Sequence, residues 1–140
     1  MERYRFLEHT ADILYEAYGG SFEEALENAA LALFDIIADT GNLKTTQTVT
    51  LNQKGTTLDE LVVVVLSDLV SQRDARGLFF KSFKVTDLKK LHNAYRLTGI
   101  AFGFPMSPER GLMDVKAVTH HETKAFEENG RWTVRVLLDI

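Results

Sequence analysis

Ser21-Phe22-Glu23-Glu24-Ala25-Leu26-Glu27-Asn28-Ala29-Ala30-Leu31-Ala32-Leu33-Phe34-Asp35-Ile36-Ile37 is the stretch on which the fold turns. Ser21, followed three residues later by Glu24, has capping-box spacing: a hydroxyl for an orphan N–H, and a carboxylate that reaches back. Phe22, Ala25, Leu26, Ala29, Leu33, Ile36 and Ile37 then recur at helical spacing. Gly41 is a plausible stop. The run Ala29 to Phe34 leaves this helix apolar nearly all round, and a helix apolar on every side is buried on every side.

Thr57-Leu58-Asp59-Glu60 repeats the box. Leu61, the valines 62–65, Leu66, Leu69 and Val70 follow. Valine favours strands, but the cap, the length and the spacing from Leu58 to Leu69 make this a second helix, again apolar nearly all round. Strands bracket the pair: Tyr4 to Leu7, Ile13 to Tyr18, Thr45 to Asn52, Leu78 to Val85, Tyr95 to Phe104, His121 to Phe126 and Arg131 to Leu138. Asn129-Gly130 between the last two is a strong hairpin signal. Phe104 to Gly111, which holds both prolines, reads as the one long loop. Two helices that need cover on both faces, and six or seven strands to supply it, predict an α+β fold. The expected architecture is a three-layer sandwich with two buried helices between two β-sheets, in a single domain over 1–140.

The totals narrow the function. At 140 residues and 45% hydrophobic content the chain can bury a sizeable core. With no cysteine it offers neither a disulfide framework nor a thiolate metal site, and a cytoplasmic location is expected. The charged N-terminus argues against a signal peptide, and no apolar run is long enough for a membrane span. Sixteen basic against 20 acidic residues give −4, with no basic cluster beyond Lys89-Lys90. That argues against direct contact with nucleic acid. A monomer is slightly favoured. The apolar residues look consumed by the core.

Three clusters could carry chemistry. Glu8-His9-Thr10-Ala11-Asp12 gathers two carboxylates, an imidazole and a hydroxyl between two strands. Loops on rigid scaffolds often hold functional groups, although a polar turn with Asp12 or Thr10 bonding local backbone is the plainer alternative. The second is the end of the chain, Leu137-Leu138-Asp139-Ile140, directly after an apolar strand. If Ile140 is buried, its α-carboxylate is held beside the Asp139 side chain. Such a carboxylate has a pKa of about 3.5, so two anions would repel unless a cation sat between them. Oxygen-only ligands suit Ca²⁺, Mg²⁺ or Mn²⁺ rather than zinc. A solvated tail is the alternative. The third is Lys116-Ala117-Val118-Thr119-His120-His121. Adjacent histidines on a strand point to opposite faces and cannot share one metal, so a zinc site is weakly supported. Lys116 either snorkels from the core edge or contacts an anion at a partner surface. His92 reads as a turn residue, and Glu23-Glu24 as helix-dipole partners. No nucleotide-loop, nucleophile-elbow or zinc-protease pattern occurs.

Phe6-Leu7-Glu8-His9-Thr10-Ala11-Asp12-Ile13, Val115-Lys116-Ala117-Val118-Thr119-His120 and Leu137-Leu138-Asp139-Ile140 together resemble the archease family. So does the Gly19-Gly20 turn into an acidic capped helix, and the resemblance spans essentially the whole chain. It implies a small cytoplasmic protein cofactor, not an enzyme. Such a protein activates an RtcB-type RNA ligase in tRNA splicing and RNA repair. It promotes the ligase's self-guanylylation and multiple turnover and broadens its nucleotide use. The resemblance carries a metal site, most simply Ca²⁺, onto Asp12, Asp139 and the carboxylate of Ile140. It makes Lys116 and His9 contacts to the ligase. His120 stands where relatives often carry an aromatic residue. Two other classes remain in view. One is a metal-dependent phosphoester hydrolase using Asp12, His9 and His120, which would need an open cation position and a base. The other is a chaperone-like module, which would expose a large apolar patch.

Overall fold

The computed structural model of the chain describes residues 2–7 and 12–140. The elements run β1 (Tyr4–Leu7), β2 (Ile13–Gly19), α1 (Phe22–Ile37), β3 (Gln47–Gly55), α2 (Leu58–Arg76), β4 (Leu78–Lys90) and β5 (Tyr95–Pro105). A 3-10 turn (Pro108–Arg110), β6 (Ala117–Val118), β7 (Lys124–Glu128) and β8 (Arg131–Asp139) complete the chain. The first sheet has the order β1-β2-β8-β6, with β7 also paired to β8; the second has the order β3-β5-β4. Every pairing is antiparallel.

The helices form the middle layer. α1 lies against β2 and β8 on one side and β4 on the other, while α2 touches β3, β4 and β5 of one sheet and β6 and β7 of the other. This is the α+β sandwich that the all-round apolar helices predict. On α1, Ala25, Leu26, Ala29, Ala30, Ala32 and Leu33 are fully buried; on α2, Leu61, Val62, Val65 and Leu66 are. The valine run is helical because two sheets bury it from opposite sides and because its cap forms: Thr57 accepts from the Glu60 N–H at 3.1 Å. Ser21 does the same for the Glu24 N–H, and the Glu24 carboxylate accepts from the Gly20 N–H at 2.7 Å.

The edges of the elements differ from the sequence reading. The third strand begins at Gln47 and runs on to Gly55. β4 continues past Val85 to Lys90 through a register shift between Val85 and Asp87, carried by pairing with β5 rather than by its own polar residues. No strand begins at His121. His121 and Glu122 form a turn, with Glu122 at φ 62°, and β7 starts at Lys124. The opposite-faces argument for His120 and His121 therefore loses its basis. β6, two residues long, has too little sequence to show a period. The Asn129-Gly130 hairpin is as expected: both residues have positive φ, 54° and 78°, as a type I′ turn requires.

α1 does not run to Gly41. It stops at Ile37, and Ala38 leaves in an extended conformation. The loop after the 3-10 turn closes this end. Ala38 bridges to Gly111, and the N–H groups of Leu112 and Met113 both donate to the Ile37 carbonyl, at 2.9 and 3.4 Å.

Candidate functional site

β8 places the end of the chain in the middle of a sheet. Leu138 pairs with Ile13 of β2 on one side and Val118 of β6 on the other. One step on, Asp139 pairs with Ala117. Asp12 directly precedes Ile13 and Asp139 directly follows Leu138, so the two aspartates flank one ladder pair. Two aspartates distant in sequence thus come to the same end of the first sheet. The backbone here is tied down: the Lys116 N–H donates to the Asp139 carbonyl at 2.9 Å, and the Thr119 N–H to the Leu137 carbonyl at 3.0 Å. Leu138 is fully buried toward the helices. Alternation then turns the Asp139 side chain to the opposite face, where it is exposed.

Ile140 is not buried. It is 36% exposed and lies one residue past the end of β8. The main chain up to Asp139 is docked nonetheless. Asp12 is half-buried, and Lys116 is exposed and lies beside Ile140 in the continued β6–β8 register. His9 lies outside the described residues, as do Glu8, Thr10 and Ala11. His120 and His121 lie on the turn before β7, and both are exposed. Among the described residues, no three His, Cys, Asp or Glu side chains converge closely enough to hold a metal ion. The set read from the sequence has only two side-chain donors, and its third is a main-chain carboxylate. Its chemistry, all oxygen and all anionic at one strand end, fits a hard divalent cation.

Beside Asp12 lies a groove of about 500 Å³, lined by β1, the start of β2, the end of α1 and the 112–113 segment. Phe6, Ile36, Leu112 and Met113 supply its apolar surface, and Asp12 and Asp35 its charge. Asp35 is positioned by the Tyr4 hydroxyl, which donates to it at 2.8 Å. Partial burial, then that hydrogen bond and the charge of Asp35, push the Tyr4 pKa up to about 12. The expectation that the core consumes the apolar residues is corrected here. Phe6, Leu112, Met113 and Met106 are 52%, 63%, 40% and 37% exposed. The apolar pair Leu112-Met113, just past the proline loop, was the available signal. Sequence reading also missed Arg73. Its buried guanidinium bonds Asp74 at 3.1 and 3.2 Å and Asp114 at 3.2 Å, tying the last turn of α2 to the same loop.

A sequence model of the archease protein family matches residues 4–140. The chain belongs to the archease family. An archease of Sulfolobus acidocaldarius is 37% identical over 143 residues, and one of Pyrococcus abyssi 35% over 143; each alignment covers 100% of both chains. Among solved structures, protein 1598 of Methanobacterium thermoautotrophicum superposes with a TM-score of 0.86 at 30% identity, over 100% of each chain. A Thermotoga maritima archease, described as a possible chaperone, superposes with a TM-score of 0.60 over 96% of this chain and 94% of its own. At 22% identity it shares the fold alone. The archease fold is thus the sandwich described above, with Asp12 and Asp139 at one end of its larger sheet. Among the described residues, no helix is long and apolar enough to cross a membrane.

Proposed function

We propose that this chain is a non-enzymatic activator of an RtcB-type RNA ligase, with a divalent-cation site formed by Asp12, Asp139 and the α-carboxylate of Ile140. The observation that supports it most is the family match over residues 4–140, which spans all three stretches on which the resemblance rests. The strand register supports the site, because residues 12 and 139 adjoin the same ladder pair, Ile13 and Leu138. In this reading Lys116 and His9 contact the ligase, and Ca²⁺ is the simplest occupant, with Mg²⁺ or Mn²⁺ as alternatives.

Guanylylation requires triphosphate and divalent ions placed for in-line attack, so positioning and charge neutralisation dominate its barrier. Asp12, Asp139 and the terminal carboxylate offer hard anionic oxygens that can hold a cation at the ligase's nucleotide pocket. Lys116, beside them, offers a cation for a phosphate or a carboxylate of the ligase. This division of charge would favour the metal-loaded, nucleotide-bound form of the ligase and make its use of nucleotides less restrictive.

The test is ligase guanylylation with and without the chain. Substoichiometric amounts should raise the guanylylation rate and restore multiple turnover in tRNA joining, while the chain alone neither joins RNA nor hydrolyses GTP. Unchanged ligase kinetics would remove the assignment. Turnover of simple phosphate esters by the chain alone would replace it with the hydrolase reading.

A further inference from the structure

The groove beside Asp12 is built from residues that a lone globular domain has reason to hide. Leu112 is the clearest case. Its N–H donates to the Ile37 carbonyl, the neighbouring Met113 N–H shares that acceptor, and Gly111 bridges to Ala38. The backbone is therefore fixed to the end of α1, and Leu112 cannot turn inward; it remains 63% exposed. Phe6 across the groove is 52% exposed, yet its ring is held edge-on by Tyr4 at 5.5 Å and Tyr15 at 6.1 Å. A rigid aromatic, a fixed leucine and an adaptable methionine lining one groove have the composition of an interface centre.

The charge around the groove is one-sided. Asp12 and Asp35 line it, and Asp39 borders the adjoining hollow that shares Leu112. On the other flank Asp74 and Asp114 border the hollow that shares Met113. Among the described residues, two arginines on this side are already engaged. Arg73 is spent on Asp74 and Asp114, and Arg110 donates to the Asp39 carbonyl. An apolar floor with an acidic rim selects a protein surface that presents an apolar side chain between lysines or arginines.

We propose that this groove is where the ligase docks, taking from it an apolar side chain flanked by Lys or Arg. The identity of the ligase rests on the function proposed above; the chemistry of the contact rests on the groove alone. Docking here would bring the Asp12–Asp139 end of the sheet onto the ligase, because Asp12 lines both.

Calorimetric titration of the ligase with the intact chain, with the Leu112→Glu/Met113→Glu double variant and with Asp35→Asn tests this. Asp35→Asn keeps an acceptor for Tyr4 and removes only the charge. The double variant should bind about tenfold more weakly or worse, as loss of a central anchor does. It should reach the same maximal guanylylation rate at higher concentration. Asp35→Asn should bind a few-fold more weakly, and the difference should shrink at high salt. If the intact chain activates the ligase and both variants bind as tightly, the groove proposal is overturned and the function stands. If the intact chain neither binds nor activates the ligase, both fall. A marked drop in melting temperature in the double variant would place these side chains under this chain's own cover. A dimer abolished by the double variant would assign the groove to a second copy. Either result overturns the proposal.

Discussion

α1 and α2 begin at the same kind of joint and end at different ones. In each case a strand ends at a glycine, Gly19 or Gly55, set against the first turn of the helix. A Cβ there would lie 2.5 Å from the Ala25 nitrogen or 2.8 Å from the Leu61 nitrogen. A hydroxyl cap follows, and then a glutamate that reaches back, to the Gly20 N–H in one helix and the Thr56 hydroxyl in the other, both at 2.7 Å. The C-terminal ends diverge. α2 ends at Gly77, which turns left-handed at φ 62° and donates its N–H to the Arg73 carbonyl. α1 ends at Ala38, φ −152°, and its last free carbonyl is met by a loop from far along the chain. A helix that carries its own stop needs nothing from outside. One that lacks a stop takes its cap from the tertiary structure, and here that outside cap is the segment that presents Leu112 and Met113.

The largest effects should come from the shared joint. Gly19→Ala and Gly55→Ala force a methyl against helix backbone, which cannot step aside as a flexible side chain can. Each should cost about 1–3 kcal/mol, the range for overpacking. Urea melts that show one of the pair to be neutral would break the likeness between the two helix starts.

The helix ends should respond in opposite senses. Gly77→Ala places a Cβ in a left-handed residue and should cost about 1–2 kcal/mol. Ala38→Gly should bring no gain, because Ala38 is extended. It should instead cost roughly 0.5–1 kcal/mol in backbone entropy, with some lost packing at a buried position. Stabilisation by Ala38→Gly would mean that α1 can stop itself. Next come the caps: Ser21→Ala and Thr57→Ala should each cost about 1 kcal/mol, measured as a matched pair.

A smaller contrast appears at alkaline pH. α1 is tied to β1 by Tyr4 and Asp35, and α2 to β3 by Gln53 and Asp68 at 2.9 Å, a pair without a phenol. Burial and the Asp35 contact raise the folded Tyr4 pKa to about 12. Its stabilising contribution is therefore complete below the unfolded value of about 10 and is lost as pH rises through about 12. Burial raises Tyr15 in the same direction, and Tyr15 bonds the Ala29 carbonyl of α1. Hydrogen exchange should show the first sheet and α1 loosening before the second sheet as pH climbs above about 10. Simultaneous loosening of both sheets would count against this ordering.

The smallest effect on stability, and the largest expected on function, belongs to Asp12→Ala. A half-buried carboxylate just before a strand contributes little to the core, so stability should stay within about 0.5 kcal/mol while ligase activation is lost. Residues appended after Ile140 should act likewise. They replace a charged carboxylate by a neutral carbonyl, which lowers cation affinity in a Ca²⁺ or Mn²⁺ titration. An N-terminal tag should leave both intact. If Asp12→Ala unfolds the chain, Asp12 is structural.

Much of this was legible in the residues themselves, because local patterns report local physics. The capping boxes at Ser21 and Thr57, the apolar periods of both helices and the Asn129-Gly130 turn each depend on a few consecutive residues. The requirement for a sheet on either side followed from helices apolar nearly all round. The register that brings Asp12 and Asp139 to one end of the first sheet was not legible, since it joins the start of β2 to the end of β8 through backbone pairing that carries no side-chain signature. The extent of β4 and the existence of β6 are likewise set by their neighbours β5 and β8. The exposure of Ile140 and of Leu112 could not be read from composition. An apolar residue is buried only where another element covers it, and the fold leaves these two uncovered. The sequence by itself determined the layers, the caps and the carboxylates available to a cation. Only the tertiary structure decided which distant residues share an edge and which apolar side chains face outward, because both depend on contacts between segments with no local sequence relation.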